Sequence, residues 1–308
     1  MKMTEKADRN GTFKEWFSSH VLMLFFRLMR LLPYLFRHWL MGALLRGPLG
    51  YITGYRKRTL DNLNLIYPEF SNEQKTIIAK QVLDNAGRTF LENMYPADFQ
   101  AHSPEIKLWG DGLEALLKAH SEGRPIMFFS GHFGNHEAFR AALYRHGIKV
   151  GGLIRPMSNP YFDYHYQKTL LIEGRSGQVF LPGPQGTLGF YKSLKKGATL
   201  VLLIDIAVPD GPFIDFLGRP ARTALTAATF AVKSNALFLP YFSMRNPDCL
   251  SFNVEIGKPI KHSDPLTMTQ KATKALEKRI VKDPGNWFWI HRRWKYSPEP
   301  QTETEEKL

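Results

Sequence analysis

From residue 125 onward, short apolar runs alternate with helix-patterned segments, and this alternation constrains the fold more than any other feature of the chain. The runs "PIMFFS" (125–130), "IKVGGLI" (148–154), "ATLVLLID" (198–205), "ALFLPYFSM" (236–244) and "SFNVEIG" (251–257) have the length and side chains of strands. Between them, "AFRAALYRHG" (138–147), "TLGFYKSLKKG" (187–197) and "ARTALTAATFAVKSN" (221–235) read as helices. Strands this apolar need cover on both faces, so the pattern predicts an α/β fold with a central, mostly parallel or mixed sheet flanked by helices. Upstream, Ser71 predicts the N-cap of a helix over 71–94, with Pro96 marking its exit.

The N-terminal segment has a different character. From Val21 to Leu45 it is mostly Leu, Phe and Met, interrupted by Arg27, Arg30 and Arg37 and by Pro33. His20, Arg27, Arg30 and Arg37 have a spacing that lines one stripe of a single helix. Spanning a bilayer would cost about 7–10 kcal/mol for the arginines against about 4–8 kcal/mol gained from the apolar residues. The segment is therefore expected to lie in the headgroup layer as a basic amphipathic helix, kinked at Pro33 and extended by Arg56, Lys57 and Arg58. A buried core helix with a solvated arginine edge is the alternative. A compact apolar core and cleavage site of the secretory type are lacking, so the segment is expected to be retained. The expected organisation is a helical, membrane-proximal region over 1–100, an α/β catalytic domain over 101–298 and a polar, disordered tail over 299–308.

Composition narrows the partners without choosing one. A formal charge of +13 calls for something anionic: nucleic acid, lipid, a phosphorylated substrate or an acidic carrier protein. The lone Cys249 excludes an internal disulfide framework and a multi-cysteine zinc site, and suggests a reducing compartment.

The stretch "FFSGHFGNHEAF" (128–139) falls where a strand should turn into a helix. Gly131 and Gly134 permit a tight turn and Asn135 can cap the helix. His132 on the turn and Glu137 in the first helical turn can then converge, the carboxylate fixing the imidazole as a general base. The chain has no G-x-S-x-G elbow or thiol motif, which favours direct attack by an activated hydroxyl over a covalent acyl-enzyme. Two rival readings stand beside this. Glu137 and His132 can serve the helix start alone, by charge–dipole interaction and capping. His132 and His136, four apart, can also suggest zinc, although a helical zinc pair needs both histidines inside the helix.

"SGHFGNHE" resembles the H-x-x-x-x-D/E motif of the glycerolipid acyltransferases, in the "GHFGNWE" form of the bacterial lipid A late acyltransferases (the lauroyl and myristoyl transferases). "RPMSNPYFD" (155–163), "FLGRPARTALTAATFAVKSNALFLPYF" (216–242) and "WFWIHRRWK" (287–295) resemble further family segments in the same order. The resemblance covers about residues 105–298, and more loosely the N-terminal helices. It implies a glycerolipid acyltransferase-like fold and transfer of a fatty acyl chain from acyl-acyl carrier protein to a hydroxyl of a phosphorylated glycolipid, a lipid A precursor. The place would be the cytoplasmic face of the inner membrane, and neither cofactor nor metal is implied. His132 would be the base and Glu137 its partner, with Gly134, Asn135, Arg155, Arg175 and Asp205 on the substrate side. Asp210 is an alternative to Asp205, and His136 stands where the family usually has tryptophan.

Arg155, after a strand, suits a phosphate or a thioester oxygen, or a surface ion pair. His291, Arg292, Arg293 and Lys295 among Trp287, Trp289 and Trp294 suit a headgroup-level surface. Another membrane acceptor, such as a lysophospholipid, an aminolipid or another glycolipid, is the nearer functional alternative. A basic nucleic-acid-binding protein is the farther one, but no RNP, KH or zinc-finger pattern accompanies it, so no nucleic-acid partner is expected.

Overall fold

A computed structural model of the chain describes residues 11–102, 106–171 and 177–298. Six helices come first: α1 (Phe13–Met29), α2 (Tyr34–Arg46), α3 (Pro48–Ile52), α4 (Tyr55–Ile66), α5 (Asn72–Met94) and α6 (Pro96–His102). Strands and helices then alternate: β1 (Ile106–Trp109), α7 (Leu113–Ser121), β2 (Ile126–Ser130), α8 (His136–Tyr144), β3 (Val150–Leu153), α9 (Pro160–Leu171), β4 (Val179–Phe180), α10 (Pro184–Lys195) and β5 (Thr199–Leu203). A hairpin of β6 (Phe213–Phe216) and β7 (Arg219–Arg222) precedes α11 (Thr226–Lys233), β8 (Leu237–Arg245), β9 (Phe252–Ile256), α12 (Pro265–Lys282) and a 3₁₀ turn at Pro284–Asn286.

The main sheet runs β1-β9-β8-β2-β5-β3-β4, with every pair parallel except β8 with β9. β2 sits centrally and is buried along its length. Its alternate side chains divide between two cores: Met127 and Phe129 enter one with residues of α10, α11 and α12, and Ile126 and Phe128 enter the other with residues of α7 and α8. The first core also takes in Leu63 of α4 and Val82 of α5 together with Trp287, Trp289 and Trp294, so N-terminal helices and C-terminal segment close over one face of the sheet.

Local capping signals account for several of the helix starts. Ser71 accepts from the Gln74 N–H while the Gln74 side chain returns to the Ser71 N–H, the capping box expected for α5. Asp264 caps α12, whose Met268, Ala272, Leu276 and Ile280 form a stripe of period four turned to the core.

Three expectations are corrected here. The helix expected over 221–235 begins only at Thr226, because Arg219–Arg222 pairs antiparallel with Phe213–Phe216. The kinked helix over Val21–Leu45 is two helices, since Pro33 stands outside both as the N-cap of α2. Its arginine stripe is consequently broken: Arg37 is 4% exposed, ion-paired with Asp98 of α6 and packed over Tyr34 and Tyr95. α1 presents an apolar stripe outward, with Phe13, Phe17, Val21, Leu24 and Leu28 exposed at helical spacing beside the exposed Lys14, His20 and Arg27. Among the described residues no helix is long and apolar enough to cross a membrane.

Candidate active site

The carboxyl ends of two adjacent parallel strands make the site. β2 ends at Ser130, whose hydroxyl donates to the Tyr241 carbonyl at 2.6 Å, and its neighbour β5 delivers Ile204, whose N–H donates to the Ser130 carbonyl at 2.8 Å. Just beyond these two residues, the turn bearing His132 faces the loop bearing Asp205. Loops at the carboxyl ends of parallel strands are where α/β folds bind their ligands.

Asp205 is 0% exposed and holds His132 twice. Its Oδ1 lies 2.9 Å from His132 Nδ1, and its Oδ2 accepts the His132 backbone N–H at 2.7 Å and the Trp287 indole N–H at 2.9 Å. Burial alone would raise the Asp205 pKa, but His132 and these hydrogen bonds outweigh it and hold the carboxyl well below the usual range. An ionised carboxylate only accepts, so Nδ1 carries the proton and Nε2 keeps its lone pair. The imidazole side chain remains 30% exposed. It is therefore fixed in tautomer and orientation on one side and open on the other.

Glycines make this approach possible. A Cβ on Gly131 would lie 2.8 Å from Asp205 Oδ2. Gly134 has φ +56°, and a Cβ there would run into the Ser243 carbonyl oxygen of β8.

The partner of His132 differs from the one read from the sequence. Glu137 lies in the first turn of α8, where its carboxylate meets Arg140 at 3.1 Å and His136 at 3.5 Å. Position Nδ1 belongs to Asp205, because β5 lies beside β2 and sets an aspartate directly under the turn. Asp210 is exposed on the following loop. Asn135 and Gly134 also take structural parts. Asn135 is 0% exposed, its Oδ1 capping α8 through the Glu137 N–H and its Nδ2 donating to Glu92; the Gly134 N–H donates to the Asn286 carbonyl. Arg155 is exposed on the loop after β3, and Arg175 lies outside the described residues. His132 precedes α8 while His136 opens it, and among the described residues no group of three His, Cys, Asp or Glu side chains is placed to hold a metal ion.

Two residues at the site came from a segment read as surface. Trp287, Trp289, Trp294 and Arg293 are all buried, packing against the core and the loops around Asp205, with only Arg292 and Lys295 left exposed. Trp287 bonds Asp205, and the His291 ring stands edge-on to His132 with centroids 4.3 Å apart. Burial, reinforced by repulsion from the neighbouring His132 ring when that is protonated, pushes the His291 pKa down to about 4. Asn62 of α4 holds this segment by donating to the carbonyls of Trp289 and His291 at 2.6 and 2.8 Å. The sequence signal was the density of aromatic and basic residues, which reads alike for a surface and for a polar-anchored core.

Comparison with known proteins gives the class first: this α/β chain is an O-acyltransferase. More particularly, residues 4–296 match the family described as bacterial lipid A biosynthesis acyltransferase, and the chain belongs to that family. A lipid A biosynthesis acyltransferase of Haemophilus influenzae is 27% identical over 252 residues, covering 78% of each chain. The lipid A biosynthesis lauroyltransferase of Escherichia coli K12 is 26% identical over 251 residues, 77% of this chain and 78% of its own. The myristoyltransferase of the same organism is 20% identical over 245 residues, 76% and 73% of the two chains.

Proposed function

We propose that this enzyme transfers a fatty acyl chain from acyl-acyl carrier protein to a hydroxyl of a lipid A precursor at the cytoplasmic face of the inner membrane. The observation that carries the reaction chemistry is the His132–Asp205 pair, with Nδ1 engaged and Nε2 open. His132 Nε2 takes the proton of the acceptor hydroxyl as its oxygen attacks the thioester carbonyl, and the imidazolium formed is stabilised by Asp205. The tetrahedral intermediate expels the thiolate, which takes the proton back from Nε2. An ester bond has replaced a thioester, and no acyl group has been attached to the enzyme.

The names of the relatives support lipid A as the acceptor, and the +13 charge suits a phosphorylated glycolipid and an acidic carrier. The exposed Phe13, Phe17, Val21, Leu24 and Leu28 of α1, with Leu35, Phe36 and Trp39 of α2, support an interfacial position in which apolar side chains enter the lipid.

The test pairs lauroyl-, myristoyl- and palmitoleoyl-acyl carrier protein with a tetra-acylated lipid A precursor and follows the penta-acylated product by mass spectrometry. Transfer by the parent and a loss of at least about 100-fold in His132→Ala are expected. Transfer only to a lysophospholipid or an aminolipid would replace the proposed acceptor, and undiminished turnover by His132→Ala would remove the base.

A further inference from the structure

Beneath the active-site turn lies a cluster of buried charge that the reaction above does not use. Glu92 of α5 is 1% exposed and each of its oxygens accepts two hydrogen bonds. Oε1 takes Arg245 Nη1 at 2.6 Å and His38 Nε2 at 2.8 Å; Oε2 takes Arg245 Nη2 and Asn135 Nδ2, both at 2.6 Å. Burial would raise the Glu92 pKa, but the Arg245 guanidinium outweighs it and brings it down to about 2. His38 Nδ1 in turn accepts from Arg88 Nη1 at 2.8 Å, so the imidazole is the neutral Nε2–H tautomer.

This cluster holds the turn at two adjacent residues, Gly134 and Asn135. Asn135 joins Glu92 to the first N–H groups of α8, since its Oδ1 accepts from Glu137 N–H at 2.8 Å. On the other side the Arg245 backbone N–H donates to Asn286 Oδ1 at 3.0 Å, and the Asn286 carbonyl accepts the Gly134 N–H at 2.8 Å. His132 stands two residues before the first of these anchors, so the cluster fixes the chain immediately after it. An ion pair taken wholly out of water gives little stability beyond what apolar packing would supply, whereas four directed bonds on one carboxylate fix positions closely.

We infer that Glu92 is a positioning residue for acyl transfer: through Asn135 it sets the turn that carries His132. The inference rests on the reading of His132 as the base. It also joins α2, which bears His38 and the outward-facing Leu35, Phe36 and Trp39, to the carboxylate that anchors the turn.

Steady-state kinetics with lauroyl-acyl carrier protein and a detergent-dispersed tetra-acylated lipid A precursor test it on the full chain. Asn135→Asp keeps an oxygen for the α8 cap but sets a second carboxylate against Glu92. While remaining folded by circular dichroism, it is expected to lose about 100-fold in kcat with KM little changed, the cost of a displacement near 1 Å. Glu92→Gln sets an amide NH₂ against a donor at either oxygen and, while folded, is expected to lose at least about tenfold in kcat with KM little changed. Should Asn135→Asp fail to fold, Asn135→Ser, which has an oxygen for the cap but no amide donor, is held to the same kcat expectation. A folded Asn135→Asp or a folded Glu92→Gln with parental kcat overturns the inference. His132→Ala in the same assay separates the two ideas. If it is inactive while the Asn135 variants are parental, only the role of Glu92 falls; if it turns over normally, the base reading falls and this inference with it.

Discussion

A single carboxylate, Asp205, holds His132 by two different groups, the imidazole Nδ1 at 2.9 Å and the backbone N–H at 2.7 Å. Side chain and backbone of the proposed base are thus fixed to one rigid point. Asp205→Asn leaves only one acceptor oxygen where three donors converge, so an amide NH₂ must face a donor. We expect kcat to fall by roughly 100- to 10,000-fold and its pH dependence to change. In Glu137→Gln the pH dependence of kcat stays parental, because that carboxylate bonds Arg140 and not the imidazole. Rate–pH profiles of the two variants side by side check this; a profile altered only by Glu137→Gln would reverse the assignment.

Trp287→Phe removes the indole N–H that reaches Asp205 at 2.9 Å while keeping an aromatic ring beside Trp289 and Phe216. The expected cost is about 1.5–3 kcal/mol, the range for a hydrogen bond to a charged group. Urea denaturation measures it, and a change well under 1 kcal/mol would mean the bond contributes little.

Gly134→Ala and Gly123→Ala separate backbone strain from crowding. Both glycines have positive φ, +56° and +65°, but a Cβ at Gly134 meets the Ser243 carbonyl while one at Gly123 meets open space. Gly123→Ala should cost about 1 kcal/mol, the left-handed penalty alone. Gly134→Ala should cost at least about 2 kcal/mol and displace the turn that carries His132, so activity falls with stability. Equal costs at the two positions would contradict the close approach of β8.

Acid should unfold the protein in two windows. His291 has its pKa lowered from 6.5 to about 4, so between these values the unfolded chain binds a proton that the folded chain refuses, and stability falls as pH falls. Glu92, lowered from 4.5 to about 2, adds a second loss between those values by the same sign. Denaturation midpoints followed against pH in the parent and in His291→Phe test the first window, since the variant should lose part of the slope there.

The exposed stripe of α1 should govern lipid binding rather than chemistry. Phe17→Glu and Leu24→Glu each remove an apolar side chain worth about 1.5–3 kcal/mol on burial, so partition onto anionic vesicles should weaken by about tenfold or more. Turnover with detergent-dispersed substrates should hold. Unchanged vesicle binding in both variants would remove α1 from the interface.

What was legible in the sequence is what neighbouring residues decide. The strand Ile126–Ser130, the glycine turn and the helix capped by Asn135 follow from side chains a few positions apart, as does the Ser71 cap of α5. Caps, turns and strand periodicity act over a few residues, so their chemistry is written in local order. His132 could be singled out because the turn that exposes it is local too.

Its partner could not be identified in the same way, because side chains 73 residues apart in the chain meet only when β5 pairs with β2. Trp287 reaches the same carboxylate from 82 residues further on. Arg37, apparently one of a helical stripe, turned inward because Pro33 ended that helix and α6 supplied Asp98. The sequence by itself determined an α/β scaffold with a histidine exposed at a strand end. Strand order and helix packing alone decided which carboxylate holds that histidine and which apolar face is left outward, since those contacts depend on distance in space and not along the chain.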